Sequence, residues 1–487
     1  MKSLKVNVLL DMLNRLLSYI FPLITFPYVA RIFSPEGIGR FNFSLSIVSY
    51  FSMIAGLGIG TYSIREASSI RNDIYKLRQF SKEIFLINLL STILSYGIFL
   101  LCLFTIPKLY ENRIILLICS SSMILSLLSF EWYFIAKEEF LYITIRSIIC
   151  KIFSIILLFT FVHQKTDLYK YAAISVIATG AASLFNFSYF IRKIREQVQS
   201  VPSDIAPFCI KKHMKPILII FATIVANSLY TMLDTIMLGF MQDNQAVGLY
   251  AAASKINRIV VTLITGIGGI LLPRLSYYRK NDMKAEYKEL LNNSFAFSLL
   301  LSIPTVIGLE ILSPEIISVF CGSEFSGALT PMAILNPIIF IIAIGNFINV
   351  QIFLPENKEN YSLYIQLISG ILNICLNFLL IPYFSIVGAA LGSVTAEFLV
   401  TIMSICMAKR FFSLIPFISN ICKYIFNSLL MGTFLYLLKA FIKYDYQKLV
   451  ICIFSGAFIY GILLFIEKDS YFIKFITSLK KKNYNEI

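Results

Sequence analysis

Apolar residues in this chain gather into long runs, at about residues 8 to 30, 41 to 61, 84 to 106, 114 to 135, 142 to 162 and 169 to 191. A second series falls at about 216 to 240, 253 to 273, 294 to 320, 329 to 354, 361 to 381 and 386 to 407, and two more near 422 to 442 and 448 to 466. Each run is long enough for a helix to cross ~30 Å of hydrocarbon, and most charged residues sit in the links between runs. The pattern predicts an all-α integral membrane protein of about fourteen transmembrane helices. Residues 1–191 form an N-terminal six-helix lobe, 192–215 a basic link, 216–410 a second six-helix lobe, and 411–487 two extra helices with a basic tail.

The halves carry a repeat. Ile38 to Arg65 aligns without gaps on Val247 to Arg274: Gly39, Ile47, Gly60 and Arg65 match Gly248, Ile256, Gly269 and Arg274, and Phe41 faces Tyr250. Six crossings separate the copies, so they share one orientation, which predicts two pseudo-symmetric lobes related by an axis along the membrane normal.

Composition agrees with the pattern. The 487 residues are 58% hydrophobic and 14% charged, with a mean hydropathy of +0.78, which excludes a soluble protein. The net charge of +15 is not that of a nucleic-acid binder, because the basic residues lie in links and no such motif accompanies them. They report orientation instead. With the N-terminus inside, roughly 28 Lys and Arg fall in inner links and ends and about nine in outer links, so both termini are expected in the cytoplasm. The nine cysteines are scattered, without CxxC spacing, and suggest neither disulfides nor a metal site. Met1 to Lys5 is basic, but Asp11 and Arg15 interrupt the run that follows and no small-residue cleavage site ends it, so it reads as the first crossing rather than a signal peptide.

Several apolar runs contain polar and charged residues at helical spacing. The first gathers Asn7, Asp11, Asn14, Arg15, Ser18, Pro22 and Thr25 on one face. The seventh has Thr223, Asn227, Tyr230, Thr231 and Asp234, the eighth Lys255, Arg258, Thr262 and Thr265, and the fifth Arg146 and Lys151. A cation facing lipid at mid-helix costs about 2.5 to 3.5 kcal/mol, so such residues face a bundle interior or a water-filled cavity. Arg15, Arg146, Lys151, Arg258 and Lys255, with Asn14 and Asn227, are the candidate substrate-binding residues. Sequence neighbours offer too few acids to neutralise all the cations. Asp11 and Arg15, four apart, either pair with each other or line the cavity, and Lys255 either lines it or snorkels to the interface. Asp234, Glu310 and Glu397 are acids with coupling or structural roles; Glu310 and Glu397 either bind a coupling cation or are hydrogen-bonded carboxyls.

The glycines of Gly56 to Gly60 and of Gly266 to Gly269 follow no strand and close membrane helices, so they predict close packing or a bend, not a nucleotide loop. Pro22 and Pro27 are expected to kink the first helix. The only histidines, His163 and His213, lie in links, and no paired carboxylates or nucleophile motif accompanies them, so no enzyme, catalytic residue or cofactor is expected.

Four stretches resemble the O-antigen flippases, the polysaccharide-transporter branch of the multidrug/oligosaccharidyl-lipid/polysaccharide exporter superfamily. They are Pro27-Tyr28-Val29-Ala30-Arg31 through Gly37-Ile38-Gly39; Leu57 to Glu66; Glu131-Trp132-Tyr133-Phe134 with Tyr142 to Arg146 and Lys151; and Asn373, Asn377, Ile381-Pro382, Val387-Gly388-Ala389-Ala390 and Glu397. The third departs from the family pattern, reading Ile135-Ala136-Lys137 where a glycine is usual. The resemblance implies two six-helix lobes around a cationic cavity, two extra C-terminal helices, and transport of undecaprenyl-diphosphate-linked oligosaccharide across a bacterial inner membrane. Coupling to H+ or Na+ stays open. So do a cation-coupled drug exporter or lipid II flippase of the same superfamily and, from another class, a membrane polymerase or glycosyltransferase. The last would be expected to show a sizeable extramembrane loop, whereas the outer links here are short.

Overall fold

The computed structural model describes residues 4–197, 209–474 and 477. Regular structure among them is entirely helical, as a chain in lipid must be if its backbone groups are to be satisfied internally. The first part contains α1 (Leu4–Gly56), α2 (Ile59–Ser69), α3 (Ile74–Thr105), α4 (Pro107–Glu111), α5 (Arg113–Leu127), α6 (Glu131–Ala136), α7 (Phe140–Phe161), α8 (Leu168–Gln197) and α9 (Lys211–Met241). It continues with α10 (Asn244–Lys280), α11 (Lys284–Phe320), α12 (Leu329–Leu335), α13 (Ile338–Asn346), α14 (Glu359–Ala408), α15 (Ile418–Ala440) and α16 (Asp445–Ile466).

Ten helical stretches among the described residues are long and apolar enough to cross a bilayer, or eleven if the pair Ser323–Leu335 and Ile338–Phe353, bent by 44°, is one broken span. The number is below the fourteen apolar runs partly because neighbouring runs are fused. α1 carries the first two runs and leaves helical dihedrals only at Ser34 (φ 58, ψ 170), the residue before Pro35, where proline disfavours helical backbone. α14 carries the eleventh and twelfth runs and breaks at Ser385 (φ 48, ψ −126). The chain passes Pro22 and Pro27 in helical dihedrals, so the interruption falls at Ser34 and not at the two expected prolines.

The fourth run is also divided. α5 stops at Leu127, Phe130 takes a left-handed conformation (φ 40), and the aromatic stretch forms the separate short helix α6. Beyond it the chain turns at Glu138 (φ 58) without a glycine, held by an Arg71–Glu138 ion pair of 2.5 Å. Of the two glycine clusters only the first bends the chain. Gly58 has φ 75, and a side chain there would also meet Ile220 Cγ2 at 2.8 Å; α10 runs through Gly266 to Gly269 unbroken.

The chain forms two compact units, Met1–Gly248 and Leu249–Ile487. The first has a core of Ile59, Tyr62, Phe80, Ile84, Trp132, Tyr133, Phe134 and Phe190. In the second, Phe295, Phe347 and Phe417 pack with ring centroids 4.8 and 4.9 Å apart. Large apolar side chains such as Leu101, Phe104, Phe378, Phe454 and Phe458 are exposed, as surfaces facing acyl chains should be.

The boundary between units falls after α9, later than the basic link, because α9 packs against α1 and α2 of the first unit. A buried polar network fastens its start. Glu83 on α3 has no exposed surface; its carboxylate accepts from His213 Nε2 at 2.8 Å, Lys212 Nζ at 2.9 Å, Cys209 N at 2.9 Å and Gln79 Nε2 at 3.2 Å. His213 Nδ1 lies 2.6 Å from the Tyr62 hydroxyl. The His213 imidazole thus links Tyr62 to Glu83 through its two ring nitrogens.

The first unit also contains a backbone approach that only glycine permits. A Cβ on Gly39 would stand 1.6 Å from Asn244 O, and one on Gly248 would stand 1.8 Å from Pro35 O. These are equivalent positions of the sequence repeat.

Two outcomes follow. His213→Ala should lower stability by about 1.5–3 kcal/mol, the worth of a hydrogen bond to a charged group, and Tyr62→Phe by about 0.5–1.5 kcal/mol; melting of purified protein in detergent measures both, and a wild-type melting point for His213→Ala would contradict the network's role. Gly39→Ala should sharply reduce folded protein in the membrane, whereas Gly97→Ala, which meets nothing within 4 Å, should be tolerated; equal abundance of the two would contradict the close approach.

Candidate functional site

Among the candidate cations, Lys151 and Arg146 belong to α7, which packs against α1 and α8. Thr144 Oγ1 donates to Leu10 O at 3.2 Å, placing this face of α7 against the first crossing. Two turns further on, Lys151 Nζ lies 2.8 Å from Ser18 Oγ, and Ser18 Oγ donates in turn to Asn14 O at 2.8 Å. Asn14 Oδ1 is buried and has no hydrogen-bond partner. No carboxylate lies within 4 Å of Lys151 among the described residues. Among the described residues the polar contact of the ammonium is therefore a neutral hydroxyl. The side chains of Asp11, Arg15 and Asn227 lie outside the described residues.

Arg146, one turn before, is differently placed. It is 8% exposed; one terminal nitrogen donates to Asn186 Oδ1, the other lies 3.6 Å from Glu131 Oε1, and the guanidinium sits 5.8 Å from the Tyr142 ring centroid. Asn186 Nδ2 donates to Ser129 O at 2.5 Å. Arg146 thus has its neutralising acid, supplied by α6. The turn at Phe130 delivers it, which is why counting near neighbours along an uninterrupted helix missed Glu131 and Asn186. The signal was present, since Glu131 heads the aromatic stretch and closes an apolar run.

Glu131 is partly exposed and lines a cavity of about 460 Å³ within the first unit, with Ser52, Gly60, Thr61, Asn88 and Trp132. The glycine break of α1 and α2 and the aromatic helix α6, remote in sequence, therefore meet around one polar-mouthed space. Arg146 Nε, close behind Glu131, is buried without a partner. Asp234 on α9 is also buried.

In the second unit, Lys255 and Arg258 stand on successive turns of α10, the first half-buried and the second exposed. Glu310 on α11 accepts from Asn336 Nδ2 at 2.7 Å, and Asn336 also reaches Ser313 Oγ at 3.3 Å, so Glu310 belongs to a hydrogen-bonded group. Glu397 is half-buried on α14.

Comparison with known proteins assigns this architecture. The family described as "Polysaccharide biosynthesis protein" matches residues 4–279, and a second, "MatE", matches 219–379. A protein of Escherichia coli (strain K12) named "Putative O-antigen transporter" is 26% identical over 426 residues, 84% of this chain and 97% of its own length. Among solved structures, the lipid II flippase MurJ in an inward closed conformation superposes with a TM-score of 0.73 at 20% identity, covering 95% of this chain and 99% of its own. An inward-facing multidrug resistance MATE family transporter superposes with a TM-score of 0.64 at 12% identity, covering 80% and 93%. At such identities the likeness is one of fold. The chain belongs to the family described as polysaccharide biosynthesis protein and is a multi-pass membrane protein.

Proposed function

We propose that the protein carries an undecaprenyl-diphosphate-linked oligosaccharide, an O-antigen or similar repeat unit, from the cytoplasmic to the periplasmic leaflet by alternating access. The observation that supports this most is Lys151, an ammonium among apolar residues whose polar contact among the described residues is one serine. A diphosphate head needs fixed cationic donors in a shielded place, while the lipid tail stays in the bilayer and the sugars meet polar side chains such as Asn14. Arg15 and Lys151, with Asn227, would bind the head in the first unit, and Lys255 and Arg258 are the substrate-binding cations of the second. Arg146 would act behind it, holding Glu131 at the mouth of its cavity. An exporter of cationic drugs would call for acids where Lys151 stands.

Under this reading the protein makes fourteen crossings, counting the stretches broken at Ser34 and Ser385 as two each, the bent pair as one, and adding α9. Residues 1–191 and 216–410 would be two six-helix lobes of one orientation, α15 and α16 the additional pair, and both termini cytoplasmic, in accord with the basic links around Arg71, Lys211 and Lys284. Moving about two negative charges outward is downhill by roughly 2.3 kcal/mol per charge per 100 mV in an inside-negative membrane, so no nucleotide site is required. H+ or Na+ coupling would fall to Asp11, Asp234, Glu310 or Glu397.

The test is complementation of surface-polysaccharide display in a strain lacking the gene, with membrane abundance measured for each variant. Lys151→Ala should cut transport about ten- to a hundredfold at unchanged abundance, the equivalent of a lost charge-assisted hydrogen bond. Lys151→Glu should abolish it. Arg146→Ala should instead lose abundance, because it leaves Glu131 and Asn186 without their partner. Full transport by Lys151→Ala would remove the support for a cationic path.

A further inference from the structure

The second unit has a cavity of about 500 Å³ built from three separate segments. Tyr278 and Arg279 end α10, Lys284, Tyr287 and Lys288 begin α11, and Lys409 to Ser413 follow α14, with Glu356 beneath. Five cations, Arg279, Lys284, Lys288, Lys409 and Arg410, face two carboxylates, Asp282 and Glu356. The carboxylates are already used. Glu356, with its side chain 7% exposed, takes Arg279 Nε at 2.8 Å, and Asp282 stands 3.6 Å from Lys284 in an exposed pair. Lys288, Lys409 and Arg410 make no ion pair among the described residues.

Basic residues at this end of the helices are expected from orientation alone. Orientation does not require a concavity, nor does it place three uncommitted cations around one. One further feature points to an anion. Helix α11, 37 residues long, begins at the cavity with no side-chain cap hydrogen bond and with one acid, Glu286, in its first turn, so its N-terminal N–H groups and dipole favour negative charge there. Phe412 beside them packs against Phe295 and Phe347, with ring centroids 5.4 and 5.2 Å apart. The site also lies at the polar–apolar boundary, since the lipid-facing part of α10, including exposed Leu263 and Ile270, leads into it.

We propose that this cavity holds the phosphodiester head group of an anionic bilayer lipid, its phosphate oxygens taken by Lys288, Lys409 and Arg410. The chemistry is that of any phosphate oxyanion. Position at the membrane boundary favours a lipid source, because a glycerophosphate head can enter from the leaflet while its chains remain beside α10, and basic pockets between helices at this level are suited to such heads. The volume is in the range of sites that enclose a small organic group. The site is independent of the transport reading and makes no use of Lys151.

Thermal melting of the purified full-length protein in detergent tests it, because a ligand of the folded state raises the melting temperature with its concentration. Phosphatidylglycerol should give a concentration-dependent rise that phosphatidylcholine does not. The variant Lys288→Gln/Lys409→Gln/Arg410→Gln should melt normally without lipid and need at least tenfold more phosphatidylglycerol for the same rise. Lys76→Gln/Lys82→Gln, which removes basic residues elsewhere, should respond as wild type. If the triple variant folds poorly, Arg410→Gln alone should copurify with less phosphatidylglycerol than wild type by mass spectrometry. A wild-type response in the triple variant, or normal copurification with Arg410→Gln, would overturn the proposal. So would equal shifts with phosphatidylcholine, or a shift given by inorganic pyrophosphate but not by the lipid.

Discussion

A carboxylate with no exposed surface organises the first unit. Glu83 can stay ionised there only because four donors converge on it, two of them, His213 and Lys212, from the start of α9 and a third, the Cys209 amide, from the segment just before. Removing any of these leaves a buried charge underpaired, and that cost is larger than the net gain from forming the pair. The network therefore acts as a positional constraint more than as a source of stability: wherever α3 goes, the beginning of α9 must follow. This is why α9 packs with the first unit although the basic link precedes it. It also gives His213 a structural use, which its place in a link, with no nucleophile or paired acids beside it, did not suggest.

The helices were legible because their signal is continuous. A run of some twenty apolar residues has few alternatives in lipid, and each of the fourteen runs carries helix in the structure. The breaks were harder to see, since they depend on single residues. Ser34 and Phe130 take left-handed backbone where neither residue type announces it, while Pro22 and Pro27, which do announce a break, are absorbed. Of two similar glycine clusters one bends, at Gly58 with φ 75, and the other lies within the unbroken α10. Propensity is local, and these outcomes were decided by packing partners distant in sequence.

The same limitation applied to the cations. Spacing grouped Arg146 with Lys151 on one helix, and intramembrane cost marked both as purposeful. Three-dimensional contacts separate them: Arg146 meets Glu131 and Asn186, which arrive from α6 and α8, and Lys151 meets Ser18. A cation already paired contributes its charge to the fold, since a ligand would have to compete with its partner. A cation held by a neutral hydroxyl keeps most of its charge for an incoming anion. Position on a helix face could not make that distinction.

Ser18 joins this ammonium to the mechanics of the first crossing. Pro22 has no N–H to give, so the carbonyl four residues back, that of Ser18, lacks its usual helical donor, and Pro27 does the same to Leu23. The helix nevertheless continues, with Thr25 Oγ1 donating to Phe21 O at 3.0 Å and the Tyr28 hydroxyl donating to Val162 O at 2.6 Å. Two carbonyls of α1, those of Ser18 and Leu23, thus lack helical donors on the N-terminal side of the Tyr28 contact, and Lys151 reaches the side chain of the first of these residues. The side-chain contacts of Thr25 and Tyr28 carry the helix past both prolines, so that the break in α1 is left to Ser34, beyond them.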